Sequence, residues 1–147
     1  NDPTSRRIIM TDFNPAQVHL GVLYPCHSLI LQFYVNENKL SVKMYQRSAD
    51  AFLGLPFNIA STSLLLCIFS EICNLKPDTV TITLGDCHIY ESHIEAVKTQ
   101  LSRVRFPLPK LSIPKFKDVK SVENSSLEDY KLIDYTSNSR ISAKMIA

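Results

Sequence analysis

The sequence predicts an α+β fold, built on a mixed, largely antiparallel sheet with one long buried helix. Three observations carry this reading. Two runs with strand character, Leu29 to Val35 and Lys39 to Arg47, follow one another across Asn36-Glu37-Asn38. The apolar stretch Asn58 to Cys73 is too long for an ordinary strand. Strands and helices then mix without strict βαβ alternation. Composition agrees, with 45% hydrophobic and 20% charged residues over 147 positions, near the average of soluble globular chains. A net charge of +2 is too small to argue for nucleic acid as the main partner.

Arg6 to Thr11 (RRIIMT) is short and β-branched, and Asn14-Pro15 stops it, which predicts a strand running into a turn. Within Lys39 to Arg47, Leu40, Val42 and Met44 alternate with Ser41, Lys43 and Tyr45, the pattern of a half-buried antiparallel strand. Pro56 ends a loop. From Asn58 to Cys73 the apolar residues Ile59, Leu64, Leu65, Leu66, Ile68, Phe69 and Ile72 point to nearly every side, the mark of a central buried helix. Pro77-Asp78 introduces a strand at Thr79 to Leu84. Glu91 to Arg103 places Ile94, Val97, Lys98 and Leu101 at helical spacing, with polar residues elsewhere. A proline-punctuated stretch follows from Pro107 to Pro114, and then the polar segment Lys115 to Ser126.

The cysteines, Cys26, Cys67, Cys73 and Cys87, are separated by 41, 6 and 14 residues, so neither C-x-x-C nor a zinc spacing is present. Buried, reduced thiols in a soluble, intracellular protein are expected, rather than a disulfide framework. The longest uninterrupted apolar run, Leu64 to Phe69, is six residues. A membrane helix needs about 20, so no membrane partner is expected.

Several residues have the chemistry of a site. In Pro25-Cys26-His27 a thiol sits beside a base that can lower its pKa from about 8.5, although a cysteine entering an apolar strand is more often packed core. Arg47 and Ser48 offer paired guanidinium donors and a hydroxyl to a phosphate, or form a solvated strand end. Asn58 is either a helix N-cap or a side chain whose donor and acceptor match the uracil edge and mismatch cytosine. His88 and Tyr90 suit a sugar hydroxyl or are satisfied polar groups. Asp86, His88 and His93 match no metal spacing. Arg6-Arg7 is a solvated pair, or in an oligomer reaches a neighbour's anion.

Taken in order, SRRII, YPCH, QFYV, YQRSAD, LGLPFNIAS, LGDCHIY and PLPKL resemble thymidylate synthase from about Ser5 to the C-terminus. The resemblance implies a thymidylate synthase-like fold, with residues 1–147 forming the C-terminal catalytic portion of the domain. It implies reductive methylation of dUMP to dTMP with methylenetetrahydrofolate and no metal. Cys26 would be the nucleophile, oriented together with an ordered water by His27, Gln46 and Asp86. Arg47 and Ser48 would hold the dUMP phosphate, helped by Arg6 and Arg7 across a homodimer interface. Asn58 would read uracil, and His88 and Tyr90 the deoxyribose. Asp50, Leu53, Gly54 and Phe57 would line the folate site, closed by C-terminal residues ending at Ala147.

The family's N-terminal segment, which supplies a phosphate arginine, a catalytic glutamate and a tryptophan near the folate, is expected outside these residues. An upstream dihydrofolate reductase domain is an arrangement that the resemblance leaves open. Cytoplasmic location is implied, with the nucleus as the alternative compartment. A dUMP hydroxymethylase and a non-catalytic dimerisation or nucleotide-binding module are the competing readings.

Two departures from the family pattern yield expectations. Cys26 and Gln32 are six apart, one more than usual, so a bulge or irregular residue is expected within His27 to Leu31. Thr62 stands where the family commonly has tyrosine.

Overall fold

The computed structural model describes residues 2–20 and 27–146. They form two compact units, residues 1–88 and 89–147, each taken by itself below.

The first unit is a four-stranded sheet, order β1-β2-β3-β4, with one helix. Strands β1 (Ile9–Met10), β2 (Ile30–Asn36) and β3 (Lys39–Asp50) pair antiparallel. Glu37 and Asn38 close the β2–β3 hairpin with φ of 47° and 61°. Two positive φ angles give the primed turn whose twist matches that of the flanking strands. β1 is shorter than Arg6 to Thr11: the ladder pairs Ile9 with Gln32 and Met10 with Leu31, and the Ile8 carbonyl accepts from the Phe33 N–H just outside it. The irregular residue expected after Cys26 is Ser28, at φ 59°, and the ladder is regular from Ile30 onward.

Helix α1 (Leu55–Ile72) follows β3 and leads into β4 (Lys76–His88), which pairs parallel to β3. The sheet is therefore mixed, and β3–α1–β4 is a crossover unit inside an α+β chain. α1 begins three residues before Asn58, so Pro56 lies in its first turn, where a missing N–H costs nothing. It ends in a Schellman motif. Asn74 adopts φ 53°, its N–H bonds the Glu71 carbonyl, and the Leu75 N–H bonds that of Ser70. β4 starts earlier than Thr79 and takes in Pro77, which an edge strand tolerates.

The core is Leu31, Phe33, Leu40, Val42, Met44 and Leu66, with Phe69 edge-on to Phe33 at 5.2 Å. The expectation of a helix buried on nearly every side is corrected. Only Thr62, Leu66 and Ser70, one stripe at four-residue spacing, are fully buried, while Phe57 and Ile59 are exposed. A sheet covers one face of a helix, and among the described residues of this unit α1 packs chiefly against β3 and β4. The run-length argument against a membrane helix is corrected too. By length and composition alone, the 18 residues of α1 are apolar enough to cross a bilayer, because Ser and Thr interrupt the runs without making the helix polar. Its buried stripe against the sheet marks it as a core helix.

Met44 is fully buried at the centre of this packing, with the Thr62 hydroxyl 3.4 Å from its sulfur. Met44→Ala is expected to cost about 2–5 kcal/mol of stability, the range for deleting a large buried side chain, read as a lowered urea midpoint.

The second unit opens with a 3₁₀ turn at Glu91–His93 and α2 (Ile94–Leu101), in place of one helix to Arg103. The proline-rich stretch contains β5 (Lys110–Ser112), paired antiparallel with β6 (Lys131–Ile133). The polar segment between them holds α3 (Val119–Glu123), capped by Asp118 through the Ser121 N–H. Phe116 is buried beside Tyr130, the ring centres being 6.2 Å apart.

Candidate active site

The carboxyl ends of β3 and β4 and the first turns of α1 bring together the polar residues of the first unit. β3 continues past Arg47 to Asp50, so Ser48 and Asp50 belong to the strand. Ser48 pairs with Asp86 and Asp50 with His88, which sets the two acidic side chains, the hydroxyl and the imidazole at one end of the parallel pair.

Gln46 organises this end. It is 1% exposed, and its Nε2 donates to the Ser48 carbonyl at 2.9 Å and to Asn58 Oδ1 at 3.0 Å. A main-chain carbonyl only accepts, so the Gln46 amide has one orientation, and Asn58 Oδ1 must face it. Asn58 therefore turns its Nδ2 donor elsewhere and cannot flip without opposing two N–H groups. Gln46 Oε1 is buried with no hydrogen bond among the described residues. A buried acceptor of that kind is ordinarily matched by a donor from a ligand or water.

Asn58 is not the N-cap of α1. Gly54 occupies that position, without a side-chain cap bond. The Asn58 side chain is thus released from capping and committed to Gln46, while the Asn58 main-chain carbonyl accepts from the Thr62 hydroxyl at 2.8 Å. Thr62 is a contributor that sequence reasoning noticed only as a departure. Its buried place four residues after Asn58 was the available signal.

The buried positions of β3 run 40, 42, 44, 46 and then 49, so the alternation breaks at Arg47–Ser48. Gly85 lies opposite this break, between Leu84, the partner of Gln46, and Asp86, the partner of Ser48. A Cβ on Gly85 would stand 2.6 Å from the Arg47 carbonyl oxygen, so the close approach of the strands requires glycine. Strict alternation would send Arg47 and Ser48 to opposite faces, and the break falls between them.

Asp86 Oδ1 lies 2.6 Å from His88 Nδ1. A carboxylate on Nδ1 fixes the tautomer and leaves Nε2 the acceptor of a neutral ring. Asp86 thus orients His88. Asp50 Oδ1 accepts from the N–H groups of Phe52 (3.0 Å) and Leu53 (3.3 Å), and its carbonyl accepts from Gly54. That carboxylate shapes the turn holding Leu53 and Gly54. Phe57, on the first turn of α1, is 76% exposed.

Arg6 and Arg7 are exposed ahead of β1, and His27 is half-buried beside Ser28. Tyr90 begins the second unit, edge-on to His93 with ring centres 5.6 Å apart. Cys26 and Ala147 lie outside the described residues. Burial pushes the Cys67 thiol up, the wrong direction for a nucleophile. Among the described residues, no group of three His, Cys, Asp or Glu side chains is placed to hold a metal ion.

Polar groups collected at the carboxyl ends of parallel strands, beside the N-terminus of the crossover helix, are where sheets of this kind bind small polar molecules. The thymidylate synthase family model matches residues 1–147, and the chain belongs to that family. A thymidylate synthase of Mycoplasma pneumoniae is 48% identical over 134 residues, 91% of this chain and 45% of its own length. One of human herpesvirus 8 is 46% identical over 145 residues, 99% of this chain and 42% of its own. One of Staphylococcus haemolyticus is 47% identical over 143 residues, 97% and 44% respectively. The chain spans less than half the length of these relatives.

Proposed function

We propose that the full-length protein carrying this chain converts dUMP to dTMP, with methylenetetrahydrofolate as donor of the methyl carbon and its hydride. The observation that carries this reading is the locked Gln46–Asn58 pair at the strand ends. With Oδ1 held as acceptor and Nδ2 as donor, Asn58 offers the complement of a uracil ring N–H and its neighbouring carbonyl. Cytosine presents the reverse pattern and meets donor against donor.

In this reading the Cys26 thiolate adds to carbon six of the ring, and carbon five becomes the nucleophile. The guanidinium groups of Arg47, Arg6 and Arg7 bind the phosphate, the last two from a second copy of the chain, and their field favours the thiolate. His88, its tautomer fixed by Asp86, accepts a hydrogen bond from the deoxyribose hydroxyl, and Tyr90 contacts the same hydroxyl. The Asp50 carboxylate, already committed to the turn through Oδ1, suits the N–H groups of a pterin. Methylenetetrahydrofolate supplies a one-carbon unit and a hydride when bound there.

The test is trapping. Fluoro-dUMP with methylenetetrahydrofolate is expected to give a covalent adduct on the peptide containing Cys26, and no adduct with the full-length protein overturns the reading. The mass of the nucleotide product separates methyl from hydroxymethyl transfer. Gln46→Leu frees the Asn58 amide to flip and strands the Ser48 carbonyl. It is expected to weaken dUMP binding about 10-fold, the scale of one lost buried hydrogen bond, and to narrow the preference over dCMP, both measured by calorimetric titration.

A further inference from the structure

The second unit holds a constellation that the reaction described above touches only through Tyr90. His93 is 1% exposed, and its Nε2 lies 2.8 Å from the Lys144 carbonyl. The carbonyl can only accept, so Nε2 carries the proton and donates. The same ring meets Tyr90 edge-on, at 5.6 Å and 78°. Just beyond the far end of α2, the two terminal guanidinium nitrogens of Arg103 donate to Ser139, Nη1 to its carbonyl and Nη2 to its hydroxyl, and the Asn138 amide donates to the Val104 carbonyl at 3.1 Å.

These two anchor points have matching lengths. His93 caps the start of α2 and Arg103 lies two residues past its end; the eight helical residues rise about 12 Å at about 1.5 Å each, and the flanking residues bring the span to about 15 Å. Ser139 and Lys144 are five apart, about 16–17 Å at the 3.3 Å rise of extended chain. The segment from Ser139 to Lys144 is therefore an extended strap, pinned at each end against the ends of α2. Its exposure alternates as extended chain does, with Ile141 and Ala143 half-buried and Ser142 and Lys144 exposed. Met145 and Ile146 lie beyond the second pin, exposed.

We propose that His93 is a positioning residue with two separable duties. Its Nε2–H fixes where the C-terminal strap ends, and its ring edge fixes Tyr90. The second duty rests on the reading that Tyr90 contacts dUMP; the first stands without it.

Two variants of the full-length protein separate the duties. His93→Phe keeps an aromatic ring against Tyr90 and loses the donor. His93→Gln keeps an N–H near the Nε2 position and loses the ring. Trypsin cleavage between Lys144 and Met145 reads the strap, since the bond attacked is the one whose carbonyl His93 holds. Cleavage after the exposed Lys117 reports whether the unit is folded.

His93→Phe is expected to accelerate cleavage at Lys144 at least tenfold, leaving cleavage after Lys117 unchanged and the dUMP Kd within twofold. His93→Gln is expected to keep Lys144 protected and to raise the dUMP Kd severalfold. Unchanged cleavage at Lys144 in His93→Phe overturns the strap. The same response in both variants, with faster cleavage after Lys117, reduces His93 to a structural residue and overturns the proposal. A wild-type protein that does not bind dUMP overturns the proposed function and the Tyr90 duty together, and the trypsin pattern then decides the strap by itself.

Discussion

Cys26→Ala in the full-length protein is expected to lower turnover of dUMP by about 10⁶-fold, the scale seen when an enzyme's nucleophile is deleted. The fluoro-dUMP adduct is lost with it. The other three cysteines are free thiols whose settings argue against them. Cys67 lies on α1, where burial raises its pKa and holds it as the thiol. Cys73 caps the far end of that helix and Cys87 lies in β4, both exposed, which corrects the expectation of buried thiols: a helix end and an edge strand have little packed against them. Cys67→Ser is therefore expected to leave turnover within a few-fold of wild type. Mass spectrometry of the trapped protein checks both substitutions, and an adduct persisting in Cys26→Ala moves the nucleophile elsewhere.

Gly85→Ala is expected to be the most disruptive single-methyl change in the first unit. The added Cβ would meet the Arg47 carbonyl oxygen at 2.6 Å, the Arg47 carbonyl carbon at 3.2 Å and Tyr45 Oη at 3.2 Å. The tyrosine can swing away, but a strand backbone cannot, so β3 and β4 must part. The cost is about 3 kcal/mol, the upper end for overpacking, or a drop of about 1–3 M in the urea midpoint for a small domain. Tyr45→Phe removes only the yielding contact and is not expected to rescue the alanine. Because Gly85 lies between the partners of Gln46 and Ser48, dUMP binding should fall with stability. A stable Gly85→Ala protein with normal binding would falsify the close approach.

The sequence made the hairpin legible because β2 and β3 each bury alternate residues, and period-2 patterning survives translation into structure almost unchanged. Leu40, Val42 and Met44 were readable as core for that reason, and they are core. The extra residue after Cys26 was readable by comparison with the family pattern, and an irregular residue, Ser28, falls within the range expected for it. The helix was legible as a helix but not in its burial. Apolar residues all round α1 describe its composition, whereas its buried stripe is set by the single sheet face it meets. β5 and β6 were hidden because three-residue strands have no periodicity to read, and their partners lie twenty residues apart in the chain.

The candidate site divides in the same way. Motif order by itself determined the family and named Gln46, Arg47, Ser48, Asp50, Asn58, Asp86 and His88 as one set, because residue type and spacing are properties of the chain. Which groups hold which was decided only by tertiary structure. The cap reading of Asn58 was open until α1 was seen to start at Leu55, leaving that amide to Gln46. The pairing of Asp86 with His88 and the need for glycine at 85 also belong to the fold. Hydrogen bonds and steric limits act over about 3 Å, and a sequence does not say which residues will come that close.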